Sequence, residues 1–472
     1  MITTVHLISM FITLAIVAGI GVFSMRNVKS AGDFATGTKS VSATLITGTM
    51  VGTLVGGAST IGTAQLAFKF GFSAWWFTLG AGLACLFMGL FLAGPLHRTD
   101  ASTAPELLSN SHGQAAGLFA SIFSSLGIFL NIIAQVLAAV ALLVSMFHIN
   151  SFVAAIIAIS FIIIYVIFGG VWGTGMVGIF KIFILYATMI TIGSLAFSMA
   201  GGISGLTADF EPFPWFSLFG RGIGTDSAAA FSMLVGVFST QTYLQAMFSG
   251  KNEAASRKGA IVSGLLIPPI GVAGILVGLY MRAHFPELNA KAAMPAFIMQ
   301  FIPPWAGGIF LAGLFISVIG TGAGLVLGVS TMVSQDIFKK MIKKDASDRA
   351  VLAFLRISVA VVSGITLLFV AGNMNSMILK WSFLSMGIRG SVIFFPLIGT
   401  LFFRKYISSK AVVYALGSGP ISTIVWGITM PLQVNPLYIG MAVSLLTLLV
   451  FSMGGGKSLG EPIPIKVEAD RQ

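Results

Sequence analysis

The chain has 472 residues, of which 8% are charged and 56% hydrophobic, and its mean hydropathy is +0.99. A soluble domain carries about a quarter charged residues and a disordered chain needs low hydrophobicity, so both classes are excluded. Twenty-six Lys and Arg against fourteen Asp and Glu leave a formal charge of +12, whose placement shows whether a polyanionic partner is needed.

A spanning helix takes ~20 apolar residues. Thirteen hydrophobic segments follow one another along the chain, at 3–25, 42–68, 72–95, 115–147, 151–172, 177–201, 226–249, 258–281, 305–334, 350–371, 376–402, 408–430 and 435–453. The first has a signal peptide's length, but no Lys or Arg precedes it, while Arg26 and Lys29 follow it. It is therefore expected to stay as an anchor with the N-terminus outside. The cytoplasmic loops then hold Arg26, Lys29, Lys39, Arg98, Lys251, Arg257, Lys258, Lys339, Lys340, Lys343, Lys344, Arg349, Arg404, Lys405 and Lys410. Only Lys69, Arg221, Arg282 and Lys291 fall in the external loops. Topology thus accounts for the positive charge, and no nucleic acid is called for.

Between the segments there is no room for a soluble domain. The longest external loop, about 202–225, contains Glu211-Pro-Phe-Pro-Trp215, which suits an interfacial turn. Residues 454–472 read as a short cytoplasmic tail, expected to be disordered. No G-x-x-x-x-G-K-[ST] phosphate loop is present, so ATP-driven transport would need another subunit. Cys85 stands alone, and His6, His97, His112, His148 and His284 lie scattered without ligand spacing. Neither a disulfide framework nor a transition-metal centre is expected.

Two segments do not read as plain spans. The second holds Thr47-Gly-Thr-Met-Val-Gly-Thr-Leu-Val-Gly-Gly-Ala-Ser-Thr60, dense in glycine and hydroxyls at mid-membrane. Gly48, Gly52 and Gly56 repeat every fourth residue, which is consistent with a packing seam. Gly56-Gly57 followed by Ser59 and Thr60 equally suits an unwound stretch, which a bilayer tolerates only around a buried site or cavity. The seventh segment is also polar and glycine-broken, at Gly236-Val-Phe-Ser-Thr-Gln-Thr-Tyr243. A pair of interrupted helices, one in each half, points to a secondary transporter's binding site. Five spans from segment two and five from segment seven would run in opposite orientations, as an inverted repeat requires.

The order of motifs resembles the sodium:solute symporter family, with the inverted-repeat fold typified by the leucine transporter. The resemblance rests on Ser30-Ala-Gly-Asp-Phe34, Gly56-Gly-Ala-Ser-Thr-Ile-Gly-Thr-Ala64, Gly169-Gly170, Gln245 through Gly259, Ser330-Thr331 with Asp336-Ile-Phe-Lys339, and Pro396 with Gly399 to Arg404. It implies a sodium ion between the first broken helix and span nine, with carbonyl ligands at Gly52, Val55 and Ser317 and a hydroxyl at Thr321. Where the family usually places a second hydroxyl, this chain has Gly320. Gly320, Gly324 and Gly328 also fit a small-residue packing stripe.

Span six departs further. Gly178 aligns with the family's aspartate near the cation site, and Lys181 with its glutamine. Lys181 either snorkels to the cytoplasmic surface or points inward, where its ammonium would take a cation's place or connect transport to protons. Arg389 is the third departure. Ser382, Ser385 and Arg389 fall at i, i+3 and i+7 on one face of a helix that, by the resemblance, borders the substrate. Arginine at bilayer depth costs at least ~2.5 kcal/mol on insertion scales. Either it caps carbonyls of a broken helix, or it receives a substrate carboxylate through its bidentate fork.

The expected fold is all-α and polytopic, with 13 transmembrane helices. Helices 2–6 (42–201) and 7–11 (226–402) form a five-plus-five inverted repeat with two discontinuous members. Helices at 1–25 and 408–453 are peripheral, and 1–453 makes a single transporter domain. The expected function is secondary active transport of a small organic solute, an anion bearing a carboxylate, by alternating access in the plasma (inner) membrane. Coupling would be to a cation: sodium by the resemblance, or a proton or no ion by the departures. The solute site would comprise Gly56, Gly57, Ala58 and Ser59, with Met233, Gly236, Ser239, Ser382, Ser385 and Arg389. The alternatives are a transporter-like membrane sensor and a channel. An enzyme is not expected, and neither is an obligatory protein partner or a cofactor beyond the implied sodium.

Overall fold

The computed structural model describes residues 2–25, 41–99, 101, 103–429 and 434–453. The loop charges Arg26, Lys29 and Lys39, the motif at 30–34 and the tail at 454–472 lie outside the described residues. Among the described residues the chain is almost wholly helical, its one β-bridge joining Val41 to Gly250. Among the described residues nine helices are long and apolar enough to cross a bilayer, and four shorter apolar helices accompany them. A bilayer interior offers no water to pair backbone N–H and C=O groups, so helices that satisfy their own backbone are the expected solution.

The first helix, α1, is Thr4–Met25. The second hydrophobic segment is divided: α2 (Ala43–Leu54) starts on a Ser42 cap, Val55 is extended, and a π-turn at Ala58–Gly62 leads into α3 (Thr63–Phe70). Then come α4 (Trp76–Phe87), continued by turns to His97, the short α5 (Ala104–His112) and α6 (Gln114–Phe147). The fifth and sixth segments make up the helical stretch α7 (Ser151–Met199), and both lie along residues 313–322: Phe161 meets Phe315, and Ile184 lies where a Cβ at Gly313 would be. The surroundings of 168–180, and so of Gly178, lie outside the described residues.

The second half repeats the pattern. The seventh segment is divided between α8 (Ile223–Phe238) and α9 (Gln241–Phe248), with Thr240 extended between them. Asn252 caps α10 (Glu253–His284), and α11 (Pro304–Thr331) continues as a π-turn to Ile342. Ser347 caps α12 (Asp348–Gly372), followed by α13 (Ile378–Phe402), α14 (Ser409–Thr429) and α15 (Pro436–Met453). The loop at 202–225 carries short helices at Gly202–Asp209 and Pro212–Trp215, and the Trp76 indole nitrogen donates to Leu218 O, tying the loop to α4.

Large apolar side chains such as Phe183, Ile190 and Leu368 point outward, as lipid-facing surface should. Inside, α13 packs against α6 and α8, while α11 packs against α6, α7 and α1. The two helix breaks are buried within this bundle, Ser59 and Thr60 at the first and Ser239 and Thr240 at the second.

Candidate solute and cation site

At the first break the free backbone groups are satisfied by nearby side chains. The Gly56 N–H donates to Ser59 Oγ at 2.9 Å, and the Ser59 and Thr60 hydroxyls both donate to Gly56 O, at 2.9 and 2.8 Å. The Gly57 N–H donates to Gln135 Oε1 at 2.8 Å. Ala58 is buried in the turn that follows. A helix interrupted here survives because short hydroxyl side chains and one long amide replace the missing backbone partners.

Beside this break lies Lys181, on α7 and buried. Its Nζ donates to Gly52 O at 2.6 Å and to Thr321 Oγ1 at 2.7 Å. Ser317 Oγ donates to Val55 O at 3.0 Å. The four residues implied as sodium ligands, Gly52, Val55, Ser317 and Thr321, therefore converge, and the lysine ammonium stands among them. Lys181 points inward and does not snorkel. Gly320, Gly324 and Gly328 are not a packing stripe: a Cβ at 320 would meet only the Tyr165 hydroxyl, at 3.9 Å, and at 324 or 328 nothing.

At the second break Ser239 Oγ donates back to Val235 O at 2.7 Å and Thr240 Oγ1 to Gly236 O at 2.6 Å. Arg389 reaches this break from α13, fully buried. Its Nη1 donates to Thr240 Oγ1 at 2.7 Å, its Nη2 to Ser385 Oγ at 2.7 Å and its Nε to Ser385 O at 3.3 Å. Ser385 Oγ gives its own proton to Gly127 O at 2.5 Å, and Ser382 Oγ donates to Asn131 Oδ1 at 3.0 Å. The Ser382/Ser385/Arg389 face is thus turned toward α6. Met233 is buried against Gly80, and Gly236 is a crossing point where an added Cβ would lie 2.5 Å from Met386 Cβ.

Gln135 and Asn131 also belong to this cluster, beyond the residues named from the sequence. The signal was present: two amide side chains four residues apart in the apolar run 114–147 share one face. A groove of about 450 Å³ lined by Phe72, Phe197, Ile203, Phe216 and Leu276 lies elsewhere, and its apolar walls suit lipid better than a polar solute.

Comparison with known proteins agrees with this architecture. The sodium:solute symporter family profile matches residues 34–416. The chain belongs to that family. It is 21% identical over 380 residues to high-affinity choline transporter 1 of Drosophila melanogaster, covering 76% of this chain and 60% of that one. It is 22% identical over 385 residues to sodium/proline symporter 2 of Staphylococcus saprophyticus, covering 78% and 75% respectively. A substrate-bound, outward-open Na+-coupled sialic acid symporter superposes with a TM-score of 0.78 at 18% identity, over 97% of this chain and 100% of the other. That superposition establishes the shared fold. Family and neighbours are transporters, not enzymes, the family name points to sodium as a coupling ion, and the chain spans 60% of the choline relative's length.

Proposed function

We propose that this family member is a secondary active transporter of a small organic anion bearing a carboxylate, working by alternating access around the two helix breaks. The observation that carries the reading is Arg389. Its guanidinium is fully buried, forms no ion pair among the described residues, and rests on two hydroxyls and a carbonyl. Thr240 and Ser385 have each committed their single proton to a carbonyl, so toward Arg389 they serve as acceptors. Three of its five N–H groups are used, and one on each terminal nitrogen remains for a ligand. A buried charge held only by neutral groups is costly, and a carboxylate arriving with the solute would offset that cost.

The rival is a cationic solute, as the choline relative's name would suggest. Two buried cations, Lys181 and Arg389, oppose it. The orientation proposed for the bundle places the end bearing Lys251, Arg257 and Arg404 in the cytoplasm of a plasma-membrane protein.

The test is thermal unfolding of the purified protein in detergent with monocarboxylates, amino acids and acidic sugars, each paired with its primary amide. At least one acid is expected to raise the midpoint saturably while its amide does not. Stabilisation confined to neutral or quaternary-ammonium ligands would overturn the reading.

A further inference from the structure

The cation that the family name implies should sit among the Gly52 and Val55 carbonyls, Ser317 and Thr321, and the residues present do not fit it. Two of these oxygens already receive N–H bonds from one ammonium, and Val55 O receives the Ser317 hydroxyl. Gly320 supplies no side-chain oxygen, and no ion pair at Lys181 compensates its charge among the described residues. A sodium ion ~4 Å from the ammonium would meet a repulsion worth about a thousandfold in affinity at an effective dielectric of 20.

We infer that Lys181 is a tethered cation that takes the place of sodium, so that this transporter binds and moves its solute without a sodium ion. The ammonium supplies the structural part of what an ion would do there. Through its two hydrogen bonds it draws α7 to the C-terminal end of α2 and to α11, next to the first break. It differs from an ion in one respect: it cannot be released on either side of the membrane. A tenfold sodium gradient could drive up to tenfold accumulation per coupled ion. With a covalently held cation that factor becomes one, and the solute's own gradient, exchange against another solute or a proton carried by the amine must drive net flux.

The inference rests on the carrier reading but not on the solute's chemistry, and its test uses sodium alone. A failure here would therefore leave the carboxylate assay untouched, and the reverse. The purified full chain is melted in detergent while sodium chloride replaces N-methyl-D-glucamine chloride at constant ionic strength. The wild type should show no saturable rise. Lys181→Gln combined with Gly320→Ser, for which there is space beside Tyr165, should gain a sodium-specific rise of about 2–5 °C at a hundredfold excess over the dissociation constant. A saturable sodium response in the wild type would overturn the inference. So would a folded Lys181→Gln variant whose stability responds neither to sodium nor to a small alkylammonium. Should the variants not fold, radioactive sodium binding to the wild type decides: saturable binding that potassium does not displace refutes the tethered cation, and its absence supports it.

Discussion

Arg389 Nη1 lies 2.7 Å from Thr240 Oγ1, so the buried guanidinium is fastened to the one extended residue of the second helix break. Because the Thr240 proton goes to Gly236 O, the contact is a charge-assisted bond to a committed acceptor. Any movement of α8 relative to α9 must therefore be felt at Arg389, and a ligand drawing on Arg389 must be felt at the break.

Thr240→Val keeps the shape of the side chain and removes that acceptor. A hydrogen bond to a charged group is worth about 1.5–3 kcal/mol, so a drop in melting temperature is expected, with weaker solute binding. Thr240→Ser should restore both. Thermal unfolding and isothermal binding on the three proteins check this, and an unchanged Thr240→Val would show that the break does not depend on the arginine.

Arg389→Lys tests the solute side of the same contact. One ammonium cannot reproduce the planar fork, so affinity for the carboxylate ligand should fall roughly 10- to 150-fold. Neutral analogues should bind weakly to both proteins and not distinguish them. Equal losses for charged and neutral ligands would mark Arg389 as a cap of the broken helix and nothing more.

The glycines at the breaks give a steric prediction with internal controls. A Cβ at Gly57 would lie 2.3 Å from Ala138 Cβ and 2.9 Å from Val318 Cγ2, and one at Gly236 would lie 2.7 Å from the Met386 Cα. Overpacking of this kind costs about 1–3 kcal/mol when neighbours can yield, and backbone does not yield easily. Gly57→Ala and Gly236→Ala should therefore lower both thermal stability and solute counterflow in proteoliposomes. Gly324→Ala and Gly328→Ala, with nothing within 4 Å, should leave both unchanged.

Much of this arrangement could be read from residue types alone. The breaks at Val55–Gly57 and Ser239–Thr240 were legible because glycine next to hydroxyls is costly in lipid unless it serves a site. Spacing also placed Ser382, Ser385 and Arg389 on one face, and α6 is what that face meets. The orientation of Lys181 was not legible: a four-carbon stem reaches either the surface or the interior, and only the positions of Gly52 and Thr321 decide. Asn131 and Gln135 were overlooked because an amide in a span makes no motif, and its value appears once the chain crossing it is known.

Orientation is the last prediction, and structure and charge contribute different halves of it. Contacts between loops sort them into two ends of the bundle. Val41 pairs with Gly250 at one end, while at the other Lys291 Nζ donates to Met374 O and the Arg282 guanidinium lies over the Phe68 ring. Which end faces the cytoplasm comes from charge alone: the Val41 end shares its side with Arg98, Lys251 and Arg257, and the other keeps Lys69, Arg221, Arg282 and Lys291. Cys85 is free and fully buried, so Cys85→Ser gives a background in which single cysteines report position. Ser204→Cys, in the loop beyond α7, and Ser347→Cys, at the cap of α12, both replace exposed residues, one at each end. An impermeant thiol reagent on intact cells should label position 204 and reach 347 only after permeabilisation. Labelling of 347 on intact cells with 204 protected would invert the assignment, and the charge bias of the loops would then need another cause.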